Sequence, residues 1–124
     1  MLKLLLIGAG GAAGTLARYA TSMALLRLSQ RTALPLGTLA VNLLGCLLIG
    51  YFNGLFLERV ALRPEYRLML FVGFFGGFTT FSSFGWETAV LLRDGNYFRA
   101  VLNLVVSNVL GVILVVVGFG LGRR

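Results

Sequence analysis

The sequence predicts an all-α integral membrane protein of four transmembrane helices, and three observations carry that reading. Apolar residues fill 58% of the 124 positions and charged residues 12%, where soluble domains average roughly 45–50% and about 25%. Mean hydropathy is +0.92, and a soluble domain this small exposes too much of its area to hide that content. The apolar residues also gather in four long runs, 4–26, 36–57, 68–92 and 100–121. About 20 residues suffice for a helix to cross the hydrocarbon core. One four-span domain therefore accounts for residues 1–124.

The first run has too short an apolar stretch before Gly8 for a secretory signal, and its hydrophobicity continues well past Ala12-Ala13. It reads as a retained membrane helix. Its glycines imitate a dinucleotide-binding loop, but the first acid is Glu58 and a second membrane-length run follows instead of a βαβ unit. Gly10 and Gly14 read instead as a small-xxx-small pair that lets two helix backbones approach. Thr15, Arg18 and Ser22 share one face of this helix. Arg18 either snorkels to headgroups or faces an aqueous vestibule, where it attracts anions.

The second run sets Thr38, Asn42 and Asn53 on one face. Asparagines in a span are expensive unless they bond a neighbouring helix or line a wet path. The third run holds Gly76-Gly77 followed by Phe78-Thr79-Thr80-Phe81-Ser82-Ser83-Phe84. Paired glycines before four hydroxyl residues make poor helix, so a break at membrane depth is expected, lined by protein or water. Such a break frees carbonyls for a bare cation and hydroxyls for an ion path. Phe81 and Phe84, three apart, project to one side, and ring edges are positive enough to attract an anion weakly. Weak attraction permits entry and exit, as conduction requires. The fourth run repeats the polar theme with Asn103, Ser107 and Gly111.

Between the runs lie the links 27–35, 58–67 and 93–99. Pro35 and Pro64 sit in the first two, and Asp94-Gly95-Asn96 reads as a turn in the third. Both termini then fall on one side of the membrane. That side carries Lys3, Arg59, Arg63, Arg67, Arg123 and Arg124, and the other Arg27, Arg31, Arg93 and Arg99. Six against four is a weak orienting bias. It permits insertion both ways and hence an antiparallel, dual-topology homodimer. Four helices in one bundle fill their own centre, so a conduction path belongs at an interface between subunits.

The inventory excludes whole classes of chemistry. There is no histidine, a single cysteine (Cys46), and four scattered acids, Glu58, Glu65, Glu87 and Asp94. An imidazole base, a thiolate metal cluster, an intrachain disulfide and a paired-carboxylate site are all out of reach, so no enzyme is expected. The net charge of +7 would suggest nucleic acid in a soluble chain. With arginines flanking apolar runs, anionic lipid headgroups are the expected partner and nucleic acid is not.

With those residues in view, the chain resembles the Fluc (CrcB) fluoride channels. Four blocks match in order: Gly10-Gly11, Gly14 and Arg18-Tyr19; Gly37-Thr38-Leu39, Val41-Asn42 and Gly45; Gly73-Phe74 with Gly76 through Phe84; and Asn103, Ser107 and Gly111. The resemblance implies passive, selective export of fluoride across the cell inner membrane through two pores at the interface of a dual-topology dimer. It implies a structural sodium ion held by backbone carbonyls of Gly76 and Thr79 from both subunits. It assigns Phe81, Phe84 and Asn42 to the pore. Thr80, Ser82 and Ser83 form a polar track beside it, Asn103 and Ser107 come from the fourth span, and Arg18 lies in the vestibule. The chain departs from the family's usual residues at Ser83 and at Gly85, which removes a hydroxyl. The competing class is a small multidrug-type exporter exchanging cations for protons. That class needs an acid deep in the first span, where this chain has Arg18.

Overall fold

The computed structural model describes residues 1–58 and 60–124, with the Glu58 side chain also left aside. Arg59, counted above among the basic residues of the second link, lies outside the described residues. Helix α1 runs Leu2–Thr32 and α2 Leu36–Glu58. Helix α3, residues 64–78, begins at Pro64–Leu68, widens into a π-helical stretch at Met69–Phe75 and closes with Gly76–Phe78. Helix α4 is Phe81–Arg93. Helix α5, Tyr97–Arg123, contains a second π-helical stretch at Val106–Leu110. No strand occurs among the described residues.

Leu36–Leu57, Pro64–Arg93 and Tyr97–Arg123 are each long and apolar enough to cross a membrane. Helix α1 is longer than α2 but carries Lys3, Arg18, Arg27 and Arg31. The helices overrun the apolar runs at most ends, because polar residues continue a helix into the headgroup layer without cost. Pro64 opens α3 instead of sitting in a link. Proline at the first helical position lacks only an N–H that would have had no partner. The turn at 94–96 is present: Gly95 has φ +77°, and the N–H groups of Gly95 and Asn96 reach back to Leu92 and Leu91.

Glycines decide which helices touch. A Cβ on Gly10 or Gly14 would overlap the carbonyls of Met69 and Phe74, and one on Gly73 would lie 2.6 Å from the Ile7 carbonyl. The pairs rise together along both chains, so α1 and α3 are parallel neighbours in backbone contact, as the small-xxx-small reading expected. Helices α2 and α5 pair the same way: Gly50 and Gly54 meet the carbonyls of Val115 and Phe119, while Gly118 and Gly122 meet those of Leu47 and Tyr51. Without a hydrophobic drive in lipid, such close packing is the main source of helix association. Phe52 and Phe56 of α2 then interleave with Phe71 and Phe75 of α3 at centroid distances of 6.1 and 6.3 Å, and Phe75 is 2% exposed.

Candidate functional site

The site grows from two residues that leave the helix. Thr79 (φ −81°, ψ 159°) and Thr80 (φ −153°, ψ 114°) are extended, between the end of α3 and the start of α4. Asn42, from α2, clasps the interruption. Its Nδ2 donates to the Thr80 carbonyl at 3.0 Å, and its Oδ1 accepts from the Thr80 N–H at 2.8 Å. Both backbone groups of a buried residue are thereby satisfied by one side chain.

That clasp has a consequence for the carbonyls. In a continuous helix the Thr80 N–H would bond Gly76 and the Ser83 N–H would bond Thr79. The first goes instead to Asn42 and the second to Thr80 Oγ1 at 3.3 Å. The carbonyls of Gly76 and Thr79 thus lose their ordinary donors. Phe75 is treated oppositely, its carbonyl accepting from both the N–H and the hydroxyl of Thr79 at 3.0 and 2.8 Å. Gly76 is exposed, and a Cβ there would meet nothing within 4 Å.

Thr80 caps α4 and gathers the hydroxyls. Its Oγ1 donates to Ser83 Oγ at 3.0 Å and lies 3.4 Å from Ser82 Oγ. Phe81 and Phe84 stand with centroids 5.5 Å apart, but they do not share an environment. Phe81 is 80% exposed and Phe84 6%, so one ring projects from the chain and the other packs beneath it.

Two cavities flank this segment, and Thr80 lines both. One, of about 450 Å³, is walled by Thr15, Arg18, Ser22, Thr38, Ser83 and Glu87 among others. It brings Arg18 into a polar recess with no carboxylate in ion-pair range among the described residues. The other, of about 280 Å³, takes Asn42, Cys46, Thr79, Phe81, Phe84 and Ser107. Ser107 Oγ is buried there without a partner among the described residues. Asn103 stands apart from both cavities: its Nδ2 donates to Thr88 Oγ1 at 2.9 Å, and that hydroxyl donates to the Phe84 carbonyl at 2.8 Å. Asn103 therefore ties α5 to α4.

Sequence reasoning gave Glu87 no role in the ion path. Its Oε1 accepts from the Thr38 hydroxyl at 2.7 Å, while Oε2 is buried without a partner among the described residues. The spacing Thr80, Ser83, Glu87 carried the signal, since positions three and seven apart share a helical face.

Comparison with known proteins agrees with this architecture. A family model described as CrcB-like protein, Camphor Resistance (CrcB), matches residues 5–119. The chain belongs to the CrcB family. A relative from Maridesulfovibrio salexigens is 45% identical over 99% of this chain and 97% of its own length. One from Prosthecochloris aestuarii is 48% identical over 96% and 91%, and one from Chloroflexus aurantiacus 46% over 99% and 97%. Each of those three proteins is named a fluoride-specific ion channel FluC. Family membership and the apolar spans make this CrcB protein a multi-pass membrane protein.

Proposed function

We propose that this CrcB protein is a fluoride-selective channel that lets fluoride leave the cell passively. The observation that carries the reading is the Thr79–Thr80 interruption, where Asn42 and the hydroxyls of Thr80, Ser82 and Ser83 stand beside Phe81 and Phe84. The second Nδ2 hydrogen of Asn42, the Ser82 and Ser83 hydroxyls and the ring edges offer a small anion neutral donors without a cation that would hold it, while Thr80 spends its own proton on Ser83. Desolvation costs even a carboxylate-sized ion on the order of 20 kcal/mol in the idealised limit. Fluoride is smaller, so its path needs closely spaced donors, and the same narrowness excludes chloride. Arg18 in the polar recess raises the local anion concentration without entering the path. Near-full-length relatives bearing the fluoride-channel name support the choice of anion.

The working unit in this reading is an antiparallel homodimer embedded in anionic lipid, with the third span broken mid-membrane and a pore on each side of the interface. Phe81 supports it: a ring 80% exposed at the mouth of a polar segment is incomplete within one chain. Exposed Gly76, with its carbonyl's helical donor diverted, supports a sodium ion held by the carbonyls of Gly76 and Thr79 from two subunits. Carbonyl oxygens are partial charges suited to a monovalent ion rather than to magnesium, which dehydrates reluctantly. Bound there, sodium would fix the two breaks against each other and offset the charge of passing anions.

The deciding experiment is passive efflux from liposomes holding only this protein, with fluoride and chloride electrodes and no pH gradient. Fluoride is expected to leave much faster than chloride. Equal rates would overturn the fluoride selectivity, and flux only under a proton gradient would overturn the channel in favour of an exporter. The exposure difference also separates the two rings. Phe81→Ile should lower fluoride flux sharply with thermal stability unchanged. Phe84→Ile should lower both, its stability by roughly 1 kcal/mol, since a buried, shape-changed core side chain usually costs that much. Normal flux in both variants would reduce the rings to packing.

A further inference from the structure

We propose that the groove between the end of α2 and the start of α3 binds one anionic phospholipid, its phosphate on Arg67 and an acyl chain along the groove floor. The groove encloses about 530 Å³ and is lined by Asn53, Pro64, Arg67, Leu68, Phe71 and Val72. Pro64 begins a membrane-length run. At 1.5 Å per residue Arg67 lies roughly 4.5 Å inside that end and Val72 roughly 12 Å. The headgroup layer occupies about the outermost 5–7 Å on each side of the hydrocarbon. The cation is thus at phosphate depth and the apolar floor at acyl depth.

Arg67 is set for this role by its surroundings. Its guanidinium carbon lies over the Phe71 ring, 5.7 Å from the centroid, a cation–π contact that holds the charge beside the groove floor. No carboxylate comes within ion-pair distance of it among the described residues. A guanidinium with no ion pair among the described residues, its donors set in a planar fork, matches the two oxygens of a phosphodiester. The floor rules out a free phosphate as the occupant. Leu68, Phe71 and Val72, the last 55% exposed, offer a soluble anion nothing and offer methylenes a surface out of reach of water. A second copy of the chain is the less apt occupant, because Gly76, turned toward a partner above, lies nine residues or roughly 13 Å farther along.

The test is native mass spectrometry of the full chain in a non-ionic detergent, titrated with phosphatidylglycerol and with phosphatidylcholine of the same acyl chains. Wild type is expected to retain phosphatidylglycerol preferentially. Arg67→Gln should weaken retention about fivefold, the factor that corresponds to the ~1 kcal/mol a basic residue gains at an anionic surface. Val72→Trp should displace the lipid although every charge remains, and Arg124→Gln should change nothing. Equal retention of both lipids, an unaltered Arg67→Gln, or displacement by soluble glycerol phosphate at matched concentration would overturn the proposal. So would a Val72→Trp variant that changes oligomeric state while keeping its lipid, which would assign the groove to a second copy. If Val72→Trp fails to fold, the Arg67→Gln titration decides alone.

Discussion

Replacing Asn42 by leucine is expected to collapse fluoride flux, whereas replacing Asn53 by alanine, on the same helix, is expected to leave it near wild type. The difference lies in what each amide holds. Among the described residues Asn53 Nδ2 donates only to the Ile49 carbonyl one turn back on its own helix, at 2.8 Å. Asn42 satisfies both the N–H and the carbonyl of Thr80, 38 residues away. Leucine is close in volume but leaves both groups buried and unpaired, at about 1–3 kcal/mol each. If about 2 kcal/mol of that is lost from the conducting geometry, flux falls roughly 30-fold. Asn42→Asp sharpens the test. It retains an acceptor for the Thr80 N–H but sets a second oxygen against the Thr80 carbonyl and a negative charge beside the path, so it should be as damaging as leucine. Liposome efflux together with a thermal melt in detergent reads both effects. Wild-type flux in Asn42→Leu would mean that the interruption stands without its clasp.

The second large effect concerns the glycine seams. Gly14→Ala and Gly118→Ala should each destabilise the fold by about 1–3 kcal/mol or more, the usual range for overpacking. A Cβ there meets backbone carbonyls of Phe74 and of Leu47, which cannot rotate aside as a side chain would. Gly120→Ala lies on α5 as Gly118 does, with nothing within 4 Å of its Cβ. It should be neutral or gain up to about 1 kcal/mol, as alanine is the better helix former. Gly76→Val provides the third arm. Its surroundings within one chain are equally open, so a single chain should fold as wild type. If the proposed dimer forms in the wild type, its loss on size exclusion in Gly76→Val would place a partner at Gly76. An unaltered dimer would remove the carbonyl site from the interface.

Sequence alone determined the class and the outline of this protein. Membrane thickness fixes how many apolar residues a span needs, so run length and composition translate directly into helices. The Asp94-Gly95-Asn96 turn was equally legible, because positive φ is a local demand that glycine answers. So was the helix-packing role of Gly10 and Gly14, since small residues at a spacing of four have few other uses in lipid. The gathering of Thr80, Ser82 and Ser83 beside Phe81 and Phe84 follows from their closeness in the chain, which no tertiary arrangement can undo.

Tertiary structure decided everything that depends on partners distant in sequence. The spacing of Phe81 and Phe84 puts them on one side of a helix, yet only packing made one 80% exposed and the other 6%. Asn42 read as a polar residue needing a neighbour; that the neighbour is both backbone groups of Thr80 depends on how α2 crosses the interruption. Asn103 read as a polar residue of the fourth span; that it bonds Thr88 and so ties α5 to α4 depends on how those helices pack. The π-helical stretches at Met69–Phe75 and Val106–Leu110 had no signature, because such turns are rare and no residue type marks them. Glu87 shows the limit most plainly. Its place two turns beyond Thr80 was visible in the chain, but its bond to Thr38 was not, for hydrogen bonds between helices are set by rotation and crossing angle, and neither is a property of either segment by itself.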